Sequence, residues 1–144
     1  SAAPVSFPVL ANLTLVGNGS TLNKRGVRLR AGTHIKLYNT IIYGKPNSLT
    51  TETTETESSL TDGVSLLDHI SLSGTISSSE GLYSEALFTA VPGNGIHQDL
   101  SFMNGYVGTV AEGKDMNPVD PFFMATDYIG AVPSANDWTQ GWCK

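Results

Sequence analysis

Hydrophobic and polar residues alternate along this chain in short runs rather than at helical spacing. In Gly26–Gly44, GVRLRAGTHIKLYNTIIYG, three such runs follow one another: Val27 to Arg30, Ile35 to Tyr38 and Thr40 to Tyr43. Runs of this length and period predict half-buried β-strands. One residue, Asn39, separates the second run from the third. A single residue cannot reverse a chain, so a bend is expected there, with no hairpin. Bent strands in series predict one coil of a parallel β-helix.

A polar corner, an alternating run and a closing glycine recur. The copies are Asn12-LTLV-Gly17, Asn39-TIIY-Gly44, His69-ISLS-Gly74 and Asp99-LSFMN-Gly105, with the glycines 27, 30 and 31 residues apart. Such a period belongs to solenoids. Asn12, Asn39, His69 and Asp99 are expected to stack as a ladder, with Leu13, Leu15, Ile42, Ile70, Leu72, Leu100 and Phe102 stacked inside. The fold class is therefore all-β, a right-handed parallel β-helix. A β-sandwich or another all-β fold is the alternative.

Proline punctuates an entering strand around Val5, Phe7 and Val9, as suits a sheet edge. The stretch 46–62 is mostly Thr and Ser with Glu52, Glu55, Glu57 and Asp62. It is expected to loop out into solvent and to be mobile. Its acids lack the spacing of a calcium loop. Leu82 to Val91 carries the one helical pattern and stops before Pro92-Gly93, which predicts a short helix. Residues 1–113 thus form the coils, and 114–144 an irregular tail of the same domain. That tail holds Phe122, Phe123, Tyr128, Trp138 and Trp142, and is expected to cover a face of the stack near Ile41 or Tyr43.

Composition narrows the function. The chain of 144 residues carries a net charge of −5 with only 15% charged residues and no Lys/Arg cluster, which argues against nucleic acid. No apolar run is long enough to span a membrane. One cysteine, Cys143, excludes an internal disulfide.

Candidate chemistry is sparse. Arg28 and Arg30 alternate with Val27 and Leu29, so both should face outward as a binding pair, with Lys36 projecting from a neighbouring strand. Outward acids are not expected at matching positions, where Ser71, Ser73 and Ser101 stand. His34, His69 and His97 share no metal-ligand spacing, and no nucleophile motif is present. Asp115, Asp120, Asp127 and Asp137 fit turn-forming roles. No catalytic residue, metal or cofactor is assigned.

NLTLVGNGS at 12–20, the Gly26–Gly44 stretch and the closing DYIGAV…DWTQGW at 127–142 resemble the C-terminal region of bacterial lipoprotein-like proteins. These are secreted or surface proteins with a right-handed parallel β-helix of pectate-lyase-like shape. The resemblance implies a location outside the cell and the end of a longer stack. It carries no catalytic residue. Two functions follow as expectations. One is a non-catalytic module, structural or binding glycan or a surface protein. The other is part of a carbohydrate-active β-helix enzyme, either a polysaccharide lyase or a glycoside hydrolase.

Overall fold

A computed structural model describes residues 3–99, 101–110 and 112–141. Strands β1 (Val9–Ala11), β2 (Thr14–Val16), β3 (Arg25–Leu29), β4 (Lys36–Tyr43) and β5 (Asn47–Thr51) precede helix α1 (Thr54–Thr61). Then come β6 (Leu66–Leu72), β7 (Thr75–Ser78), helix α2 (Glu85–Thr89), β8 (Gly95–Ile96), β9 (Met103–Asn104) and β10 (Val107–Gly108). The chain passes alternately between two parallel sheets. Sheet one holds β1 and β2 beside β4, then β6 and β8; sheet two runs β3-β5-β7.

The expected registration holds. Leu15 pairs with Ile42 in parallel, and Ile42 with Leu72. The apolar core lies between the sheets: Leu37, Ile42, Leu67, Ile70 and Leu72 from one, Leu29 and Leu49 from the other, with Leu13 and Leu15 against them.

Two runs expected as separate strands, 35–38 and 40–43, are one strand, β4, bent at Asn39. The pairing of β4 with β6 joins Tyr38 to Asp68 and Thr40 to Ile70, and skips the corner pair. The corners are left-handed: φ is 55° at Asn12, 47° at Asn39 and 57° at His69. Asn and His tolerate this region better than most residues. Each corner turns the chain without ending its sheet.

The fourth copy differs from expectation. Ser71 pairs with Gly95 and Leu72 with Ile96, so Gly93 stands level with His69 as the fourth corner. Gly93 has φ +82°, and a Cβ there would stand 2.5 Å from the His69 ring. Asn94 then completes the turn: its carbonyl accepts from Ile70 N at 2.8 Å, and its amide donates to Leu67 O and Phe88 O. Asp99 is an exposed turn residue bonded to Ser101, not a corner. Leu100 lies outside the described residues. Phe102 is buried, but outside the stack, with Ile41 and Ile129. Residues 103–108 form an antiparallel hairpin there.

The stretch 46–62 is not a solvated loop. Residues 47–51 form the middle strand of sheet two, with Ser48, Leu49 and Thr51 almost fully buried. Residues 54–61 are helical, and Glu57 is 0% exposed. Its carboxylate accepts from Ser78 Oγ at 2.6 Å, Thr51 Oγ1 at 3.0 Å, Leu82 N at 2.9 Å and Glu80 N at 3.2 Å. One buried acid therefore joins β5, α1, β7 and the approach to α2. Burial alone raises its pKa; these donors outweigh that and hold it below the ordinary 4.5.

The expected short helix is present as α2, capped by Ser84 and burying Phe88. Described residues from 114 onward lie across the outer face of sheet one. Asn39 donates to Lys114 O and accepts from Lys114 N, both at 2.8 Å. Asn12 donates to Tyr128 O and Gly130 O, and Thr14 Oγ1 accepts from Ala131 N. The buried hydrophobic residues described in this arm are Met116, Ile129 and Val132, whereas Phe122 is 86% exposed. None of its described aromatics is buried, so they are not what covers the sheet. Trp142 and Cys143 lie outside the described residues.

Replacing Glu57 by Gln is expected to lower stability by about 1.5–3 kcal/mol at neutral pH, read from urea unfolding. The native pKa lies below the unfolded one. The contribution is therefore full above pH 4.5 and is lost as pH falls through the native value. Wild type and variant should converge in acid. For Asn39, Ala should be the more damaging replacement and Gly the milder, by about 1 kcal/mol, because glycine relieves the left-handed backbone. Thermal melts of both variants check this.

Candidate functional site

The β3 strand carries the charge that most departs from the acidic whole. Val27 and Leu29 pack against the core, which leaves Arg28 exposed, followed by exposed Arg30. Arg25, the first residue of β3, is exposed as well and joins them at the carboxylate of Glu52. Arg25 pairs with Asn47 and Val27 with Leu49, with Gly26 unpaired between. A Cβ on Gly26 would stand 2.6 Å from Ser48 O and 2.7 Å from Ile42, so only glycine lets the strand lie this close.

One carboxylate serves two of the three arginines. Glu52 accepts from Arg28 Nε at 3.0 Å and from its NH2 at 2.7 Å, a bidentate pair. Arg25 stands 3.4 Å from the same carboxylate. The Arg28 hydrogen bonds hold Glu52 below the ordinary carboxylate range, and the charges of Arg28, Arg25 and Arg30 add to this. Glu52 in turn raises the Arg28 pKa. Arg30 makes no ion pair among the described residues. Lys36 is not part of this group: it starts β4, in the other sheet, with its ammonium 5.6 Å from the Phe7 ring centre.

A second cluster sits on the outer face of sheet one. Asp68 Oδ1 is 2.6 Å from His69 Nδ1, and Oδ2 is 2.9 Å from Lys114 Nζ. Lys114 also lies 5.9 Å from the ring centre of Tyr38, the residue paired with Asp68. Burial raises the Tyr38 pKa, the Asp68 charge raises it further, and Lys114 opposes both. An outward acid is therefore present at a matching strand position, contrary to expectation. Ala11, Tyr38 and Asp68 each precede a corner and align in register. That recurring slot before the corners is the signal the sequence carries for it.

The remaining histidines are dispersed: His34 meets Phe7 edge-on, and His97 stacks near Phe102. Asp115, Asp120 and Asp137 accept from the backbone N–H two residues on, as turn formers do. Among the described residues no three acids, histidines or cysteines gather as metal ligands. No helix among them is long and apolar enough to cross a membrane.

No curated protein and no solved structure matches this chain. A family model described as a pectate-lyase like beta helix domain matches residues 1–143. Parallel strands stacked in two sheets, one of them bent at in-register left-handed corners, are consistent with that description. The chain belongs to the pectate-lyase like β-helix domain family.

Proposed function

We propose that this chain is a non-catalytic module of a secreted or cell-surface bacterial protein, and that it binds an acidic glycan. Its stack winds as a right-handed parallel β-helix, the hand that parallel crossovers adopt in about 98% of cases. Membership of this family supports a carbohydrate ligand. The observation that carries the rest is the sharing of Glu52 by Arg25 and Arg28 with Arg30 nearby, an excess of guanidinium on an exposed edge strand. Guanidinium forks match carboxylates in two-point geometry. Glu52 holds Arg28 in place and leaves the strip with positive charge to spare.

A second reading, a carbohydrate-active enzyme, has the Asp68–His69 contact in its favour. It ranks second because both Asp68 oxygens are occupied and the residue is 7% exposed. The Asp68–Lys114 pair ties the arm to the sheet, a fastening role rather than proton transfer to a substrate.

Polygalacturonate should bind in affinity electrophoresis and a neutral glucan should not, with binding weakening as salt rises. Arg30→Ala should lower polymer affinity about two- to fivefold, the range of an exposed charge contact. Binding indifferent to salt and to Arg30 would sink the proposal. No unsaturated sugar product should form over a range of pH with or without calcium; turnover lost in Asp68→Asn favours the enzyme. In a module of the proposed kind, Asp68→Asn should instead lower stability by about 1–3 kcal/mol while polymer affinity stays unchanged.

A further inference from the structure

Where sheet one's first edge meets the start of β3, the surface holds a recess of about 240 Å³. Leu15, Val16, Arg25, Tyr43 and Lys45 contribute to its walls, with Gly17 and Gly26 between them. The glycines are structural necessities. A Cβ on Gly17 would stand 2.4 Å from Gly44 O and 2.5 Å from Lys45 Cγ, so no side chain can occupy that wall. Backbone therefore forms part of the recess directly.

Its charge is undercompensated. Lys45 Nζ is bonded at 2.8 Å to Asn18 Oδ1, a neutral amide oxygen that positions the ammonium without cancelling it. Arg25 holds Glu52 only at 3.4 Å, while Arg28 takes the same carboxylate at 2.7 Å. Two cations thus border a recess with an apolar wall from Leu15 and Tyr43. Its volume falls below the roughly 300–1,000 Å³ usual for drug-sized ligands, which suits one small ring and not an oligomer.

We infer that this recess is a subsite for a single carboxylated sugar residue, the end of an acidic glycan. Arg25 and Lys45 receive the carboxylate; Tyr43 and Leu15 face the carbon skeleton. Arg25 belongs both to the recess and to the β3 strip, so the following residues of the glycan run toward Arg28 and Arg30. This inference rests on the acidic-glycan reading proposed above and adds end-of-chain recognition to it.

Amide NMR titration with galacturonic acid, galactose and polygalacturonate separates the two. Galacturonic acid should shift resonances of Val16, Gly17, Arg25 and Lys45, and galactose should not. Lys45→Gln, which keeps the side-chain length, should weaken galacturonic acid binding about three- to fivefold. Arg30→Ala should leave the monosaccharide unchanged and weaken the polymer. Val16→Phe, which fills the recess and keeps both cations, should abolish monosaccharide binding; a melting curve like that of wild type confirms its fold. Polymer binding with no monosaccharide shifts overturns the recess and leaves the strip standing. Monosaccharide binding with an Arg30-independent polymer affinity overturns the strip alone. Equal shifts with galactose, or an unchanged affinity in Lys45→Gln and Val16→Phe, overturn the subsite.

Discussion

The left-handed corner is the constraint on which the rest depends. At Asn12, Asn39 and His69 the backbone takes a conformation that most side chains resist. Each corner bends its strand yet leaves the pairing on both sides in register. A lone corner would be a local strain. Stacked, the corners fix which residue of each passage lies over which, and so place Leu15, Ile42 and Leu72 in one column. The asparagines then do a second task. Their amides are directed at the arm and satisfy backbone groups of Lys114, Tyr128 and Gly130. Turning the chain and anchoring its end are thus performed by the same two side chains.

Sheet two has no corner of this kind and is organised by a buried charge. Glu57 would be costly to bury alone; four donors from three segments make its ionised form the favoured one. An apolar residue there would leave the N–H groups of Glu80 and Leu82 without that acceptor. The passage from β7 to α2 therefore depends on the acid being present and ionised. Two different devices, backbone conformation and a satisfied charge, hold the two sheets to one core.

The strands of sheet one were legible because alternation and polar corners coincide in LTLV, TIIY and ISLS. The fourth passage was not. Gly93-Asn94-Gly95-Ile96 has no alternation to read, and its strand spans two residues. Asp99-Leu100-Ser101 imitates the pattern without the structure. The Thr/Glu stretch is illegible for a different reason: polarity in a sequence does not mean solvation in the fold. Thr56 and Ser59 are buried with partners, Gly32 N and the Thr53 and Ser65 hydroxyls among them, and Glu57 is buried with four. Polar residues that satisfy one another can line an interior, and composition does not reveal pairing. Arg28 and Arg30 are legible by parity, whereas Arg25 is not, because alternation assigns it to the side of Val27 and Leu29 although it is exposed. Asp68 went unread because its partner Lys114 is distant in sequence.

The two sheets consequently differ in what they offer a ligand. The outer face of sheet one is occupied by the arm, held by Asn12, Asn39, the Asp68–Lys114 pair and the cluster of Ile41, Phe102 and Ile129. A polymer laid along that face would have to displace all four attachments. Sheet two bears the arginine strip, and Arg25 and Arg28 are 42% and 39% exposed there. A net charge of −5 repels anions at long range, so an acidic partner gains attraction only where cations are concentrated. That local excess, and not the overall charge, decides where such a partner docks. The geometry therefore leaves β3 as the open face for the acidic glycan proposed above, while the arm covers the outer face of sheet one.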